Sequence, residues 1–410
     1  MKQSIYHTVF FVLIASLSLG CVWQNPNESA QTLPLDDSEY PYAGVPRLVI
    51  ETADFAQIRD KENKISAKMQ IYGKETPQSD VIDLAIKGRG NSSFNMPKFG
   101  FKLNLTKKQP LLGMPPSKDW VLVANFRDKT QIKNVISYHL SESLGDDYVA
   151  RTRFVELYLN RNYMGLYQLT EQVKVEKNRV HIAPGGFLIE KTTNSNEEPH
   201  FTSNNGFLFN IKYPPNPSNE ETQKIKKIID QFESFIQSKK WTLAQLEKWI
   251  DIEDFVRFYW VQEFSKNLDG KFQRSIYITR EQNGRIKMGP VWDFDLAYGI
   301  GMVGTTTTPN GWTIRRSSGW YKWLWSNKDF SAYATEYWKK NKQTFFDLLS
   351  FIDYTSNTLY PAITNDNYRW PVMNTDENLY HEKAFENYTA AIDDLKNWIL
   401  QRLYWIDSNL

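Results

Sequence analysis

The feature that most constrains the fold is a change of hydrophobic period partway along the chain. Up to about residue 215, apolar residues alternate in short segments: residues 47–51, 64–72, 81–87 and 98–105, with polar breaks between them. Alternation with period two places one face of a strand in a core, so these segments predict an antiparallel N-terminal sheet. Residues 130–144 interrupt it with Ile132, Val135, Ile136, Leu140 and Leu144 at helical spacing, stopped by Gly145. Strands resume at 153–159 and 165–171 around a turn at 160–163, and again at 186–191 and 206–213. Beyond that the period becomes helical, at 220–238 and 242–267; a short hairpin spans 274–290, and the last third is mainly helix, ending in 385–410. Strands first and helices second predict an α+β protein, with residues 47–410 as one domain whose approximate lobes are 47–215 and 216–410.

Composition excludes several classes. A chain of 410 residues buries a large core as one domain or as two lobes sharing a cleft. Hydrophobic residues at 41% and charged residues at 23% fit neither disorder nor a polytopic membrane protein. The net charge is +2 and no basic tract appears, so no nucleic-acid partner is expected. Cys21 is the one cysteine and the five histidines are scattered, which excludes a disulfide framework and a thiolate zinc cluster. The 14 tryptophans offer two readings. Many sit at helical spacing beside Leu and Ile, as do Trp320 and Trp323 next to Leu324, and these read as core; the other reading is an aromatic platform for sugar rings.

Lys2 precedes a mostly apolar run, residues 9–19, that ends in small residues and Cys21, the layout of a signal peptide over residues 1–21. The run is too short to span a bilayer. Ser18-Leu19-Gly20-Cys21 resembles a bacterial lipobox, in which the thiol receives diacylglycerol, although a usual lipobox has Leu where Ser18 stands and a small residue where Leu19 stands. The expectation is an exported lipoprotein, periplasmic or at the cell surface, anchored to the membrane through Cys21 alone. A plain signal peptide and a free secreted protein is the alternative. Residues 22–46, polar and Pro-containing, read as a flexible tether.

The strongest local signal for chemistry is Gly289-Pro-Val-Trp-Asp-Phe-Asp-Leu-Ala-Tyr-Gly299. Asp293 and Asp295, spaced by two in a segment expected to be extended, point the same way and can hold a hard cation such as Mg²⁺ against nucleotide phosphates. Asp269 lies at the end of a long helical pattern, just before a strand. This order of helix, acidic loop, strand and acidic loop is that of a kinase-like catalytic part, one Asp near the acceptor hydroxyl and another on the metal. A basic counterpart, Lys87-Gly-Arg-Gly-Asn-Ser-Ser93 followed by Lys98 and Lys102, suits phosphates, although a tight hairpin is the more common reason for such glycines. No Walker loop occurs in the chain.

Taken together these segments resemble the CotH (spore coat protein H) family of atypical protein kinases. Lys87 to Ser93 is similar to its Arg-Gly-x-Ser-Ser block, and further similar blocks follow in order. They are Asp119-Trp-Val-Leu-Val-Ala-Asn125 with Asp128 and Asn134, Gly165-Leu-Tyr167 with Glu171, Asn267-x-Asp269, Trp292-Asp-x-Asp295, and Trp398 with Arg402 and Trp405. The resemblance implies a divergent protein-kinase-like fold that binds ATP and Mg²⁺ and phosphorylates protein Ser or Thr. On this basis Asp269 is the catalytic-loop acid and Asp293 the metal ligand. Asp295 is an acid supporting that ligand or binding a second metal, and Trp292 is a face for adenine. Arg89 and either Lys98 or Lys102 contact phosphates, with Glu171 as ion-pair partner. Where many kinases have a metal-binding Asn after the catalytic Asp, Gln273 or Ser275 stands here. The competing function is a catalytically silent surface adhesin that binds glycan on the same fold.

Overall fold

The structure is a computed structural model and describes residues 35, 37–74, 78–194, 199–301, 304–316, 319–376 and 383–410. Alternating segments become the strands β1 (Arg47–Thr52), β2 (Ile65–Tyr72), β3 (Ile82–Arg89), β4 (Gly100–Leu111), β5 (Met114–Val123), β6 (Thr152–Leu159) and β7 (Asn162–Glu171). Every second side chain points inward, so that Leu48, Met69, Leu84, Phe101, Trp120 and Leu157 share one core. Neighbours pair antiparallel in the order β1-β2-β3-β4-β5-β7-β6, and β6 then meets β1 in parallel, Leu48 opposite Leu157. The sheet expected from the sequence is therefore a closed barrel with one parallel seam, which leaves no free edge.

β5 is a barrel strand that alternation misses, because Pro115 and Pro116 cannot donate to a ladder. They sit in the part of β5 that β7 does not reach, since that pairing begins at Trp120. The β4–β5 turn places Leu112 and Gly113 at φ 49° and 76°, both left-handed as a two-residue hairpin demands. After β5, Asp128 starts α1 (Lys133–Ser143): its carboxylate accepts the backbone N–H of Thr130 at 3.0 Å and of Lys133 at 2.8 Å.

A second sheet, ordered β12-β11-β8-β10-β9, combines β8 (Phe187–Lys191), β9 (His200–Thr202), β10 (Leu208–Tyr213), β11 (Ile276–Arg280) and β12 (Ile286–Met288). The helices that follow are α2 (Asn219–Gln237), α3 (Leu243–Leu246), α4 (Ile252–Ser265), α5 (Gly304–Thr307), α6 (Trp320–Leu324), α7 (Lys328–Arg369) and α8 (Tyr388–Asn409); α2 and α4 pack on this sheet, and α7 packs on β7 of the barrel. The one helix expected over 242–267 is two, because Ile250 bridges to Ile286 and Asp251 caps a fresh start by accepting the Asp254 N–H at 3.2 Å. Trp260, Trp320 and Trp338 are fully buried among these helices. None of the tryptophans among the described residues is exposed; Trp249, Trp312, Trp323, Trp325 and Trp405 are half-buried and pack against the core. The architecture is α+β, strands before helices.

The expected signal peptide, Cys21 and residues 22–34 of the expected tether lie outside the described residues. Residues 37–46 correct the tether's end: Ala43 and Val45 are buried, Tyr40 stacks on Tyr163 at 4.0 Å, and Asp37 pairs with Arg47 at 2.6 Å. Apolar and aromatic side chains in this stretch pack because the fold offers them a surface. Among the described residues no helix is long and apolar enough to cross a membrane.

Candidate active site

Asp269 and Asp293 are brought together by backbone pairing. α4 stops at Lys266, left-handed at φ 50°, whose ammonium donates to the carbonyls of Thr308 at 2.8 Å and Asn310 at 2.6 Å. The chain then turns, and the β11–β12 hairpin returns it alongside itself. Leu268 N–H donates to Leu296 O at 3.1 Å, and the Asn267 amide donates to Asp293 O at 3.0 Å while its oxygen accepts from Asp269 N–H at 3.3 Å. Asn267 thus links the two acidic loops.

Asp293 is left-handed at φ 68°, a conformation that Asp tolerates better than most residues, and this corrects the extended geometry expected of 293–295. Its conformation is held from three sides. Ser275 Oγ donates to Asp293 Oδ2 at 3.1 Å, Asn267 holds its carbonyl, and the next N–H, of Phe294, donates to Asn134 Oδ1 at 2.8 Å. Asn134 is fixed in turn by donating to Asn125 Oδ1 at 3.0 Å. Asn125 and Asn134 therefore act by placing the acidic loop, a role that sequence order signalled without explaining.

All three acids line one cleft of about 420 Å³, together with Arg89, Lys98, Lys102 and Trp292. Burial and the charge of Asp293 push the Asp269 carboxyl up to about 7, and Arg274, whose Nε is 3.5 Å from Asp269 Oδ1, opposes them. Burial, then Asp293 and Asp269, push Asp295 well above the usual carboxylate range. Two carboxyls pushed up by burial and by the charge of Asp293 mark a place where a cation relieves repulsion. No group of three His, Cys, Asp or Glu among the described residues forms a ready metal cage. Mg²⁺ does not need one, since it is usually held by one or two carboxylates with phosphates and water completing its shell. Asp293 and Asp295 fit that donor set.

The basic residues divide into engaged and open. Lys98 is buried and donates to Asp366 Oδ1, in the last turns of α7, at 2.7 Å. Asp366 Oδ1 also accepts the Leu166 N–H at 2.7 Å, and Gly165, at φ +100°, is required because a Cβ there would lie 2.2 Å from that oxygen. Glu171 binds Arg151 at 3.1 Å and Arg179 at 3.6 Å, so the expected Glu171 pairing with either lysine is absent among the described residues. The cause is geometric: Glu171, at the end of β7, is not in the cleft lining. Lys87, Arg89 and Lys102 also line the cleft, and none makes an ion pair or hydrogen bond with a described residue. Burial pushes the Lys102 ammonium down, with Asp119 opposing. Arg89 lies 5.3 Å from the Trp292 ring centroid and Tyr138 stacks on that ring at 6.1 Å. Trp292 is only 5% exposed, which leaves little ring face for the adenine contact that the resemblance implied.

Gly90, at φ +120°, turns the chain after β3, and a Cβ there would come within 2.2 Å of Ser93 Oγ. Its glycine therefore serves the tight turn and at the same time lines the cleft. Arg274 is one of the cleft residues that sequence reasoning missed, as are Lys61, Arg127 and Lys212.

A family model described as CotH kinase protein matches residues 86–406. A comparison with curated proteins finds no match. The matched span contains Lys87, Arg89, Lys102 and all three acids.

Proposed function

We propose, from the premise that the chain belongs to the CotH kinase family, that it is an exported atypical protein kinase passing the terminal phosphoryl group of ATP to protein Ser or Thr. The observation that carries the reading is one cleft holding Asp269, Asp293 and Asp295 together with Lys87, Arg89 and Lys102, basic residues that make no ion pair or hydrogen bond with a described residue, all within the matched span. Cations without acids suit an anion of high charge; acids without cations suit a metal. A nucleotide with its divalent ion supplies both. The kinase-like fold is supported by the order α4, Asp269, β11–β12 hairpin, Asp293.

In this reading Lys87, Arg89 and Lys102 hold phosphate oxygens, and Asp293 and Asp295 hold Mg²⁺, which when bound offsets the phosphate charge. Asp269 accepts the proton of the acceptor hydroxyl. The acceptor oxygen bonds to the γ-phosphorus as the bond from that phosphorus to the ADP oxygen breaks, and ADP leaves with the electron pair. Asp269 acts mainly in the transition state, so its loss spares binding. The test is transfer of labelled phosphate from ATP to casein, a generic Ser/Thr acceptor, by the full chain. Asp269→Asn should lower transfer by roughly 10²- to 10⁴-fold while ATP affinity changes little. Unchanged transfer per folded molecule in Asp269→Asn would remove it from the reaction.

A further inference from the structure

We propose that Arg274 is a built-in second cation of the cleft, so that the protein binds its nucleotide with one divalent ion where a protein-kinase catalytic loop uses two. The inference rests on the kinase reading above. In protein kinases the loop runs H-R-D-x-x-x-x-N, and the Asn five residues after the Asp ligates the second metal ion. Five residues after Asp269 stands Arg274. A guanidinium has five donors, no acceptor and a permanent charge, so it cannot ligate a cation and repels one.

Its neighbours do not replace the missing ligand. Ser275 Oγ is committed to Asp293 Oδ2 at 3.1 Å. The Gln273 side chain is exposed and outside the cleft lining, and its backbone is committed as well, the N–H to Asp269 O at 3.1 Å and the carbonyl to Lys191 Nζ at 3.0 Å. Arg274 itself lines the cleft. Its Nε is buried and makes no hydrogen bond, the oxygen of Asp269 at 3.5 Å being its ion-pair partner. No hydrogen bond to a described residue uses the rest of its donor fork, which stays open to phosphate oxygens. An arginine placed against a transferring phosphoryl group is worth 10³- to 10⁵-fold, on the order of magnitude seen in nucleotide hydrolases. The arrangement thus keeps the positive charge near Asp269 and removes the need for a second ion to bring it.

The test counts Mn²⁺, a paramagnetic stand-in for Mg²⁺, bound to the full chain with a saturating non-hydrolysable ATP analogue, by electron paramagnetic resonance. The expected stoichiometry is one ion per bound analogue in the wild type, one in Arg274→Lys, which keeps the charge, and two in Arg274→Asn, which restores the amide ligand. Two ions in the wild type, or one in Arg274→Asn at full analogue occupancy, overturns the inference and leaves the kinase reading standing. Failure of the wild type to bind the analogue at all overturns the kinase reading, and the inference with it.

Discussion

Arg402→Met removes the cation of an ion pair that ties α8 to α4, and with it the hydrogen bonds that tie α8 to the chain leaving the acidic loops. Arg402 Nη2 lies 2.9 Å from Glu263 Oε1, both side chains at 0% exposure, and Nη1 donates to the carbonyls of Pro309 at 2.8 Å and Gly311 at 2.7 Å. Glu263 in turn accepts the backbone N–H groups of Thr313 at 2.7 Å, Ile314 at 2.8 Å and Arg315 at 3.1 Å. Burial pushes the guanidinium down to about 10, against Glu263, so it stays charged at neutral pH. Removing one partner leaves the Glu263 charge buried without its cation, and such losses cost about 3–5 kcal/mol. Unfolding entropy of about 2 cal/mol/K per residue gives a chain of this length roughly 1.2 °C of Tm per kcal/mol, so the expected fall is about 4–6 °C. Calorimetric melting of Arg402→Met, Glu263→Gln and the double mutant measures it. The double mutant should lose less than the sum of the singles, because a neutral amide needs no cation. Cleavage within 304–316 by a dilute protease should also quicken. A single mutant melting within about 1 °C of wild type, or strictly additive losses, refutes the ion pair as the tie.

Asp293→Asn should remove most Mg²⁺-dependent nucleotide affinity, since an amide ligates a hard cation weakly, and Asp295→Asn should do so less; equal effects in a binding titration contradict the assigned roles. Burial and the charge of Asp146 push the Asp254 carboxyl up to about 7. The folded protein then keeps a proton that the unfolded chain loses near pH 4, so stability falls as pH rises from about 4 to about 7. Asp254→Asn should flatten that part of a denaturation profile, and an unchanged slope counts against it. Cys21→Ser should release the protein from the membrane fraction, which equal retention of the mutant contradicts.

Much of the fold was legible because period two and period 3.6 report burial locally, as in β1 with its inward Leu48 and Ile50. Closure of the barrel was not, since the parallel contact of β1 with β6 joins Leu48 to Leu157 across more than a hundred residues with no local mark. The acids were legible because short loops between regular elements concentrate them, in 267–269 and 293–295. Partners of the basic residues were not. Lys98 finds Asp366, near the end of a helix whose pattern carries no motif, and Glu171 finds Arg151 and Arg179. Ion pairing depends on tertiary placement, which spacing along the chain does not encode. The five-residue spacing of Arg274 from Asp269 was readable in the sequence, but its ion pair with Asp269 at 3.5 Å was not.

Calorimetric titration of the full chain with ATP tests the central claim most directly. ATP plus Mg²⁺ should bind saturably, ATP with chelator should bind far more weakly, and Asp293→Ala should abolish the difference between the two. A wild-type chain that binds ATP equally with and without Mg²⁺, or not at all, contradicts the assignment of the cleft as a metal–nucleotide site.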